Sequence, residues 1–329
     1  MGGKKKEILV YIAILVLALL FPVLVDDVYI MHTGVLSAIY VLLAMGLNLL
    51  TGYTGQLSLA HASFFGVGAY TSAILTVTYG WGFWPAILTS AALAGVCGIF
   101  LGFPALKLKG PYLVMSTIGF VHITHELFLN WVSVTRGPMG ITGIDFPPNI
   151  SLGGSVLDFS TPHHYFYLVL FWIVLVFVFV YSLVNSKMGR GLKAIRENDI
   201  AGECLGINLK SYKLFAFSVG ALFAGIAGSL YVHYIGYVSP DSFTLAESIN
   251  ILVMVILGGM GTLLGPIFGA VGITFLLENM RFLAEYRLII YGVILMLIMF
   301  FAPGGLMGYI LKFAAGRGDE KLKMLQEDE

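Results

Sequence analysis

Charged side chains are scarce in this chain. Asp, Glu, Lys and Arg make up 11% of its 329 residues, whereas soluble domains contain about 25%. The acidic and the basic residues are equal in number, 18 of each, so no excess of positive charge favours nucleic acid. The composition therefore excludes an ordinary soluble domain and gives no support to a nucleic-acid-binding protein.

Cysteine is also rare, with two residues in the whole chain. Cys97 lies in an apolar run and Cys204 in a polar segment, so we do not expect a disulfide bond between them. Neither cysteine belongs to a metal-binding motif. We therefore predict no metal site and no cofactor.

The sequence lacks the motifs of common enzymes. It has no phosphate-binding G-x-x-x-x-G-K-[ST] loop and no nucleophile elbow, so we predict no catalytic residues and no ATP binding through such a loop. The cluster His122, His125 and Glu126 matches neither H-E-x-x-H nor H-x-x-E-H. We interpret His122 and Glu126 as a buried hydrogen-bonded pair, and a membrane enzyme that uses this cluster is the least favoured alternative.

Long apolar runs dominate what remains. Hydrophobic residues make up 58% of the chain, and runs long enough to cross a bilayer recur along its length. This pattern predicts an all-α polytopic membrane protein with about ten transmembrane helices. The candidate spans are 8–25, 34–51, 61–79, 84–103, 112–132, 164–185, 211–235, 245–260, 264–281 and 287–305. The 40 glycines suit such a protein, because small residues let helices approach closely in lipid.

The distribution of Lys and Arg predicts the orientation in the membrane. With the N-terminus in the cytoplasm and alternating spans, only Arg136, Arg281 and Arg287 of the 18 basic residues lie outside. Basic residues are enriched in cytoplasmic loops, so both termini are expected in the cytoplasm. The segment 133–163 is then the longest external loop, and the charged tail 312–329 is internal.

The charged segment 188–208 interrupts this apolar pattern. It contains Arg, Lys, Glu and Asp residues that a spanning helix cannot carry cheaply in lipid. Helical spacing places Leu192, Ile195, Asp199 and Gly202 near one line and Arg196 and Glu203 on a neighbouring one. Gly206 is a suitable helix stop. We predict an amphipathic helix in the cytoplasm that meets a soluble partner; a helix lying on lipid headgroups is the alternative.

Two stretches at membrane depth, 48–70 and 250–272, are broken by glycine and polar residues. Irregular backbone at this depth is tolerated only when it is buried in protein or lines a wet cavity. Paired glycine-interrupted segments in two halves of a transporter indicate a translocation path. The residues that we assign to it are Gly52, Gly55, Gln56, Ser58, His61, Gly258, Gly259 and Gly261. The alternative for each glycine is simple helix packing.

Several motifs in a fixed order resemble one transporter family. They are GYTGQLSLAHASFFGVGAY (52–70), TRGPMGITGI (135–144), GRGLKAIRENDIAGECLGINLKSYKLFAFSVGALFAGIAGSLY (189–231), GGMGTLLGPIFGA (258–270) and APGGLMG (302–308). Together they resemble the LivM-type permease of branched-chain amino-acid ABC importers. The resemblance extends over about residues 34–308.

This resemblance implies an ABC importer permease fold and a set of partners. The partners are a homologous second permease, two ATPase subunits, an extracytoplasmic substrate-binding protein and the lipid bilayer of the inner membrane. The chain would be one permease domain, 1–329, with span groups 8–185 and 211–305 on either side of the segment 188–208. That segment is similar to the coupling helix that docks on the ATPase. The residues in that role would be Ala194, Arg196, Glu197, Asn198, Asp199, Glu203 and Gly206.

Two alternatives to a branched-chain amino-acid importer stay open at this point. Relatives of the resembled family carry urea, short amides or other amino acids. A stand-alone secondary transporter would need proton or sodium ligands near the midplane, for which Glu126, Glu247 and Glu278 are candidates.

Overall fold

The computed structural model describes residues 2–105, 108, 110–152, 155–204 and 206–280, together with 292, 293 and 296. Helices form most of this part of the chain. Their bounds are α1 Gly2–Leu24, α2 Val28–Leu47, α3 His61–Val77, α4 Phe83–Ala105, α5 Pro111–Asn130, α6 Val132–Thr135, α7 Pro162–Asn185, α8 Lys187–Glu197, α9 Asp199–Cys204, α10 Leu209–Ile235, α11 Leu245–Gly258 and α12 Gly265–Asn279. A π-helical turn, Asn48–Gly52, continues α2.

Nine of the ten predicted spans coincide with helices. The tenth, 287–305, lies outside the described residues apart from 292, 293 and 296, as does the tail 312–329. Five helical segments are long and apolar enough to cross a membrane, namely Val28–Gly52, Phe83–Pro104, Pro111–Asn130, Pro162–Asn185 and Leu209–Ile235. Ile8–Leu24 and Leu245–Gly258 are shorter apolar helices. The chain is therefore a mostly helical, multi-pass protein, and the number of ten crossings stays a prediction.

Local sequence determines where several helices begin and end. Asp27 caps α2, since its carboxylate accepts hydrogen bonds from the backbone N–H groups of Tyr29 at 2.7 Å and Ile30 at 3.2 Å. Proline occupies the first position of α5 and α7, where its missing N–H is not needed. Gly236 ends α10 with a φ of 74°, a conformation that glycine adopts without strain.

Helix α10 packs against α3 and α4 through glycines. A Cβ atom at Gly68 in α3 would run into the backbone of Gly225 in α10, and one at Gly228 would lie 2.6 Å from the backbone nitrogen of Ala69. A Cβ at Gly225 would lie 2.7 Å from the backbone oxygen of Ser90 in α4. The three helix backbones are therefore in contact, as is typical where helices associate through dispersion and close packing in lipid.

The segment 133–163 is more structured than the loop that its composition predicts. Strand β1 (Ile141–Thr142) pairs antiparallel with β4 (Tyr237–Val238), which directly follows α10, and β2 (Ile150–Leu152) pairs with β3 (Ser155–Leu157). The carbonyl oxygen of Asp145 also lies 2.6 Å from Nδ1 of His233 in α10. These contacts attach the segment to the end of α10.

His233 continues this connection into the helix packing. Because the Asp145 carbonyl can only accept, Nδ1 of His233 donates to it and Nε2 is the acceptor for the Ser72 hydroxyl, 3.0 Å away. Ser72 Oγ is also 2.7 Å from Ser229 Oγ. The segment 133–163, α3 and α10 thus share one buried hydrogen-bond network.

Replacement of Gly68 with alanine tests the packing of α3 on α10. The added Cβ meets backbone atoms of Gly225, which cannot rotate away, so we expect Gly68→Ala to lower the free energy of unfolding by about 1–3 kcal/mol. Thermal unfolding of the purified protein in detergent measures the loss. Gly119→Ala in α5 is the matched control, because a Cβ there has no neighbour within 4 Å. Equal unfolding temperatures for the two variants would contradict the proposed backbone contact.

Candidate functional site

The charged segment 188–208 forms two short helices. The chain leaves helical geometry at Asn198, with φ −161° and ψ 115°, between α8 and α9. The Asn198 side chain then accepts a hydrogen bond from the backbone N–H of Ile200 at 2.9 Å and starts α9. The prediction of one continuous helix is wrong, because the side chain of Asn competes for backbone donors and favours a helix start at this point. Gly206 follows α9 with a φ of 79°, in agreement with the predicted helix stop.

One side of this segment is held by the protein and the other is exposed. Leu192 and Ile195 are buried, as the helical spacing predicts. Lys213 of α10 forms an ion pair with Asp199 at 2.8 Å, and the side chains are 9% and 24% exposed respectively. Asp199 therefore anchors the segment to α10, and its predicted contact with a partner stays a prediction. Of the remaining predicted coupling residues, Ala194 is partly buried, and the exposed ones are Arg196, Glu197, Asn198, Glu203 and Gly206.

The two glycine-interrupted stretches meet each other at Asn48. Its side-chain oxygen accepts a hydrogen bond from the backbone N–H of Gly261 at 2.8 Å, and its side-chain nitrogen donates to the carbonyl oxygen of Thr262 at 2.8 Å. A Cβ at Gly52 would lie 2.6 Å from the backbone nitrogen of Gly261. We call these four residues, Asn48, Gly52, Gly261 and Thr262, the glycine junction. Asn48 was not among the predicted path residues. Its position could have indicated it, because a side-chain amide at the start of a broken apolar run can form hydrogen bonds with irregular backbone.

Arg196 connects the charged segment to the glycine junction. Its guanidinium lies against Gly261, where a Cβ would be 3.2 Å from Cζ of the arginine. Its aliphatic stem lies against Gly55, where a Cβ would be 3.3 Å from Cγ. Both glycines have positive φ angles, 73° for Gly55 and 77° for Gly261, so side chains there would be strained as well as obstructed. Arg196 thus contacts both interrupted stretches from the charged segment.

The other predicted path residues occupy two further places. Gly258 and Gly259 form the turn between α11 and α12, in which Gly258 packs on the backbone of Gly265. Gln56, Ser58 and His61 are buried along the connection that leads into α3. Oε1 of Gln56 and both ring nitrogens of His61 are buried without a hydrogen-bond partner in the protein.

His61 lies between α2 and α10. A Cβ at Gly46 would lie 3.0 Å from its Nε2, and a Cβ at Gly220 would lie 3.6 Å from its Cε1. The close approach of these two glycines makes room for the imidazole ring.

A cavity of about 760 Å³ lies beside the charged segment. Its walls come from residues 54–57, from the start of α5, and from residues 195–200 at the break between α8 and α9. Gln56 and Arg196 both line it, together with apolar side chains such as Leu113 and Val114. The part of the charged segment around Arg196, which contacts the glycine junction, therefore borders a large, partly polar cavity.

The cluster at the end of α5 differs from its predicted arrangement. His122 and Glu126 are exposed, and Oε2 of Glu126 accepts a hydrogen bond from the Asn130 side chain at 2.9 Å. The prediction of a buried His122–Glu126 pair is wrong, because the face of α5 that carries both residues does not pack against another described helix. A spacing of four residues places them on the same helix face, but it does not determine whether that face is buried.

Comparisons with known proteins identify the family of the chain. The family model described as the permease component of the branched-chain amino acid transport system matches residues 29–302. The high-affinity branched-chain amino acid transport system permease protein LivM of Escherichia coli (strain K12) is 36% identical over 342 residues, covering 97% of this chain and 80% of that protein. No solved structure matches.

Two further relatives are less similar to this chain. The LivH permease protein of the same Escherichia coli strain and transport system is 26% identical over 298 residues, covering 84% of this chain and 94% of LivH. The autoinducer 2 import system permease protein LsrC of Yersinia pseudotuberculosis is 27% identical over 241 residues, covering 71% of this chain and 64% of LsrC. With its apolar helices, its two interrupted stretches and a family match over residues 29–302, this chain belongs to the family of branched-chain amino acid transport system permease components.

Proposed function

We propose that this chain is a permease subunit of an ATP-driven ABC importer for branched-chain, neutral aliphatic amino acids in the inner membrane. The observation that carries the proposal is the contact of Arg196 with both glycine-interrupted stretches. This contact joins an exposed, charged surface to irregular backbone between apolar helices. A permease that is driven by separate ATPase subunits requires such a connection. The substrate class rests on the printed names of LivM and LivH.

A homologous second permease completes the path. One Escherichia coli strain has both LivM and LivH, two permease proteins named for the same transport system, and this chain is similar to each of them. We infer that this chain pairs with a LivH-like partner rather than acting alone. An extracytoplasmic binding protein delivers the substrate to the segment 133–163, whose attachment to α10 through His233 suits it to transmit docking.

Two ATPase subunits supply the energy from the cytoplasmic side. The exposed residues Glu197, Asn198 and Glu203 of the charged segment are the contact surface for one of them. This orientation requires both termini in the cytoplasm, in agreement with the distribution of Lys and Arg. The buried residues Leu192 and Ile195, with the Asp199–Lys213 ion pair, hold the segment against the helices.

Movement of the charged segment drives alternating access through Arg196. A displacement of α8 shifts the guanidinium relative to Gly261 and its stem relative to Gly55, which changes the geometry of the glycine junction. Coupling of this kind requires contacts that differ between the two conformations of the transporter. The contacts of Arg196 with Gly55 and Gly261 are candidates for such contacts.

Reversal of charge at the exposed acids tests docking of the ATPase. We expect the complex of this chain, its second permease and the ATPase pair to co-purify, and Glu197→Arg with Glu203→Arg to remove the ATPase through like-charge repulsion and loss of contacts. The matched control is Asp26→Arg with Asp241→Arg, which reverses two exposed acids outside the charged segment. Retention of the ATPase by the Glu197/Glu203 variant would contradict the proposed docking surface.

Removal of the Arg196 guanidinium tests transmission rather than docking. Arg196→Gln shortens the side chain and removes its charge, so we expect ATP-dependent uptake in proteoliposomes to fall about tenfold, equivalent to about 1.4 kcal/mol. The ATPase should stay bound and continue to hydrolyse ATP. Arg190→Gln, an exposed arginine in the same helix, should transport at the wild-type rate. Equal uptake by both variants would exclude Arg196 as the connection.

A further inference from the structure

Glu247, in the first turn of α11, does not have the role that its sequence position suggests. Thr244-x-x-Glu247 has the spacing of a capping box, in which the two side chains satisfy backbone donors at a helix start. Thr244 begins α11 without a side-chain cap hydrogen bond. Oε1 of Glu247 is buried and has no hydrogen-bond partner. The carboxylate is therefore not occupied in stabilising its own helix end.

The surroundings of Glu247 supply polar groups but no cation. Oε2 accepts a long hydrogen bond of 3.4 Å from the Asn250 side-chain nitrogen. The Tyr40 hydroxyl of α2 lies within hydrogen-bonding reach of the carboxylate, and Tyr231 of α10 lies near it, but both groups are neutral and supply no positive charge. Among the residues that the structure describes, the one ion pair between side chains is Lys213–Asp199, so the negative charge of Glu247 has no partner there.

Two other glutamates in apolar helices, Glu126 and Glu278, have hydrogen-bond partners. Glu126 accepts from Asn130 at 2.9 Å, and Glu278 accepts from the Tyr29 hydroxyl at 2.8 Å. Glu247 is the one carboxylate in the described part of the chain with a buried oxygen that lacks a hydrogen bond. A carboxylate without a counter-charge among packed helices is destabilising, and ionisable residues in such places mark ligand or ion pathways.

Helix α11 connects Glu247 to the proposed path. The next residue, Ser248, accepts a hydrogen bond from the backbone N–H of Ala62 at 3.1 Å, at the start of α3. At its other end, α11 leads through Gly258 and Gly259 to the glycine junction. Ile249 is 43% exposed, so the helix borders a surface on one side. Glu247 thus precedes a residue that contacts the start of α3, on the helix that leads to the glycine junction.

We propose that the carboxylate of Glu247 binds the α-ammonium group of the amino acid during its passage. The proposal rests on the proposed function, which makes a zwitterion the cargo. An ammonium group supplies both the missing positive charge and hydrogen-bond donors. Oε1 accepts one of them, while the side-chain oxygen of Asn250 and the phenol oxygens of Tyr40 and Tyr231 are further acceptors.

The experiment compares Glu247→Gln and Glu247→Asp in the complete transporter reconstituted in proteoliposomes. Glutamine keeps the size and a hydrogen bond with Asn250 but removes the charge. We expect ATP-dependent leucine uptake to fall at least tenfold in Glu247→Gln and to be retained better in Glu247→Asp. ATP hydrolysis stimulated by the binding protein and the yield of assembled complex should stay within twofold of wild type.

Glu126→Gln is the control, since it removes a carboxylate that already has a hydrogen-bond partner and should transport normally. Wild-type uptake by Glu247→Gln would overturn the proposal and leave Glu247 with a structural role. Loss of uptake in Glu247→Gln that is matched by loss of assembly, with Glu247→Asp equally affected, would also overturn it. Absence of ATP-dependent uptake by the wild-type complex would instead contradict the proposed function, so the two failures are distinguishable.

Discussion

The two hydrogen bonds of Asn48 are the interaction on which the functional part of this structure depends. Backbone that leaves helical geometry between apolar helices has N–H and C=O groups that lipid cannot satisfy. Asn48 satisfies the N–H of Gly261 and the carbonyl of Thr262 with the two ends of one amide. This side chain therefore satisfies two backbone groups of the turn between α11 and α12.

The glycine junction also brings the charged segment into the helix packing. Since Gly55 and Gly261 have no side chains, Arg196 can lie directly on their backbone. The exposed surface at Glu197 and Glu203 and the irregular backbone between the helices are thus separated by a single side chain. A permease that is powered from outside the membrane needs such a short mechanical connection, because packed helices move as rigid bodies.

Three buried polar side chains near the interrupted stretches have atoms without hydrogen-bond partners. His61 and Gln56 lie on the connection into α3, and Glu247 begins α11. Other buried polar side chains pair with each other, as in the Ser72–Ser229–His233 network. Since unpaired buried polar groups are costly, their position near the interrupted stretches is consistent with groups that bind a polar cargo for part of a transport cycle.

The sequence by itself determined the helical, multi-pass character of the protein. Apolar runs of bilayer length cross the membrane as helices, because a helix satisfies its own backbone hydrogen bonds in lipid. It also located the charged segment and both glycine-interrupted stretches, since charge and glycine stand out against apolar neighbours. What tertiary structure alone decided is which of these residues meet. The hydrogen bond between Asn48 and Gly261 spans 213 positions, and no local pattern encodes it. The pairing of Asp199 with Lys213 and the exposure of His122 and Glu126 likewise depend on which helix face packs against a neighbour, because helical periodicity defines a face but not its partner.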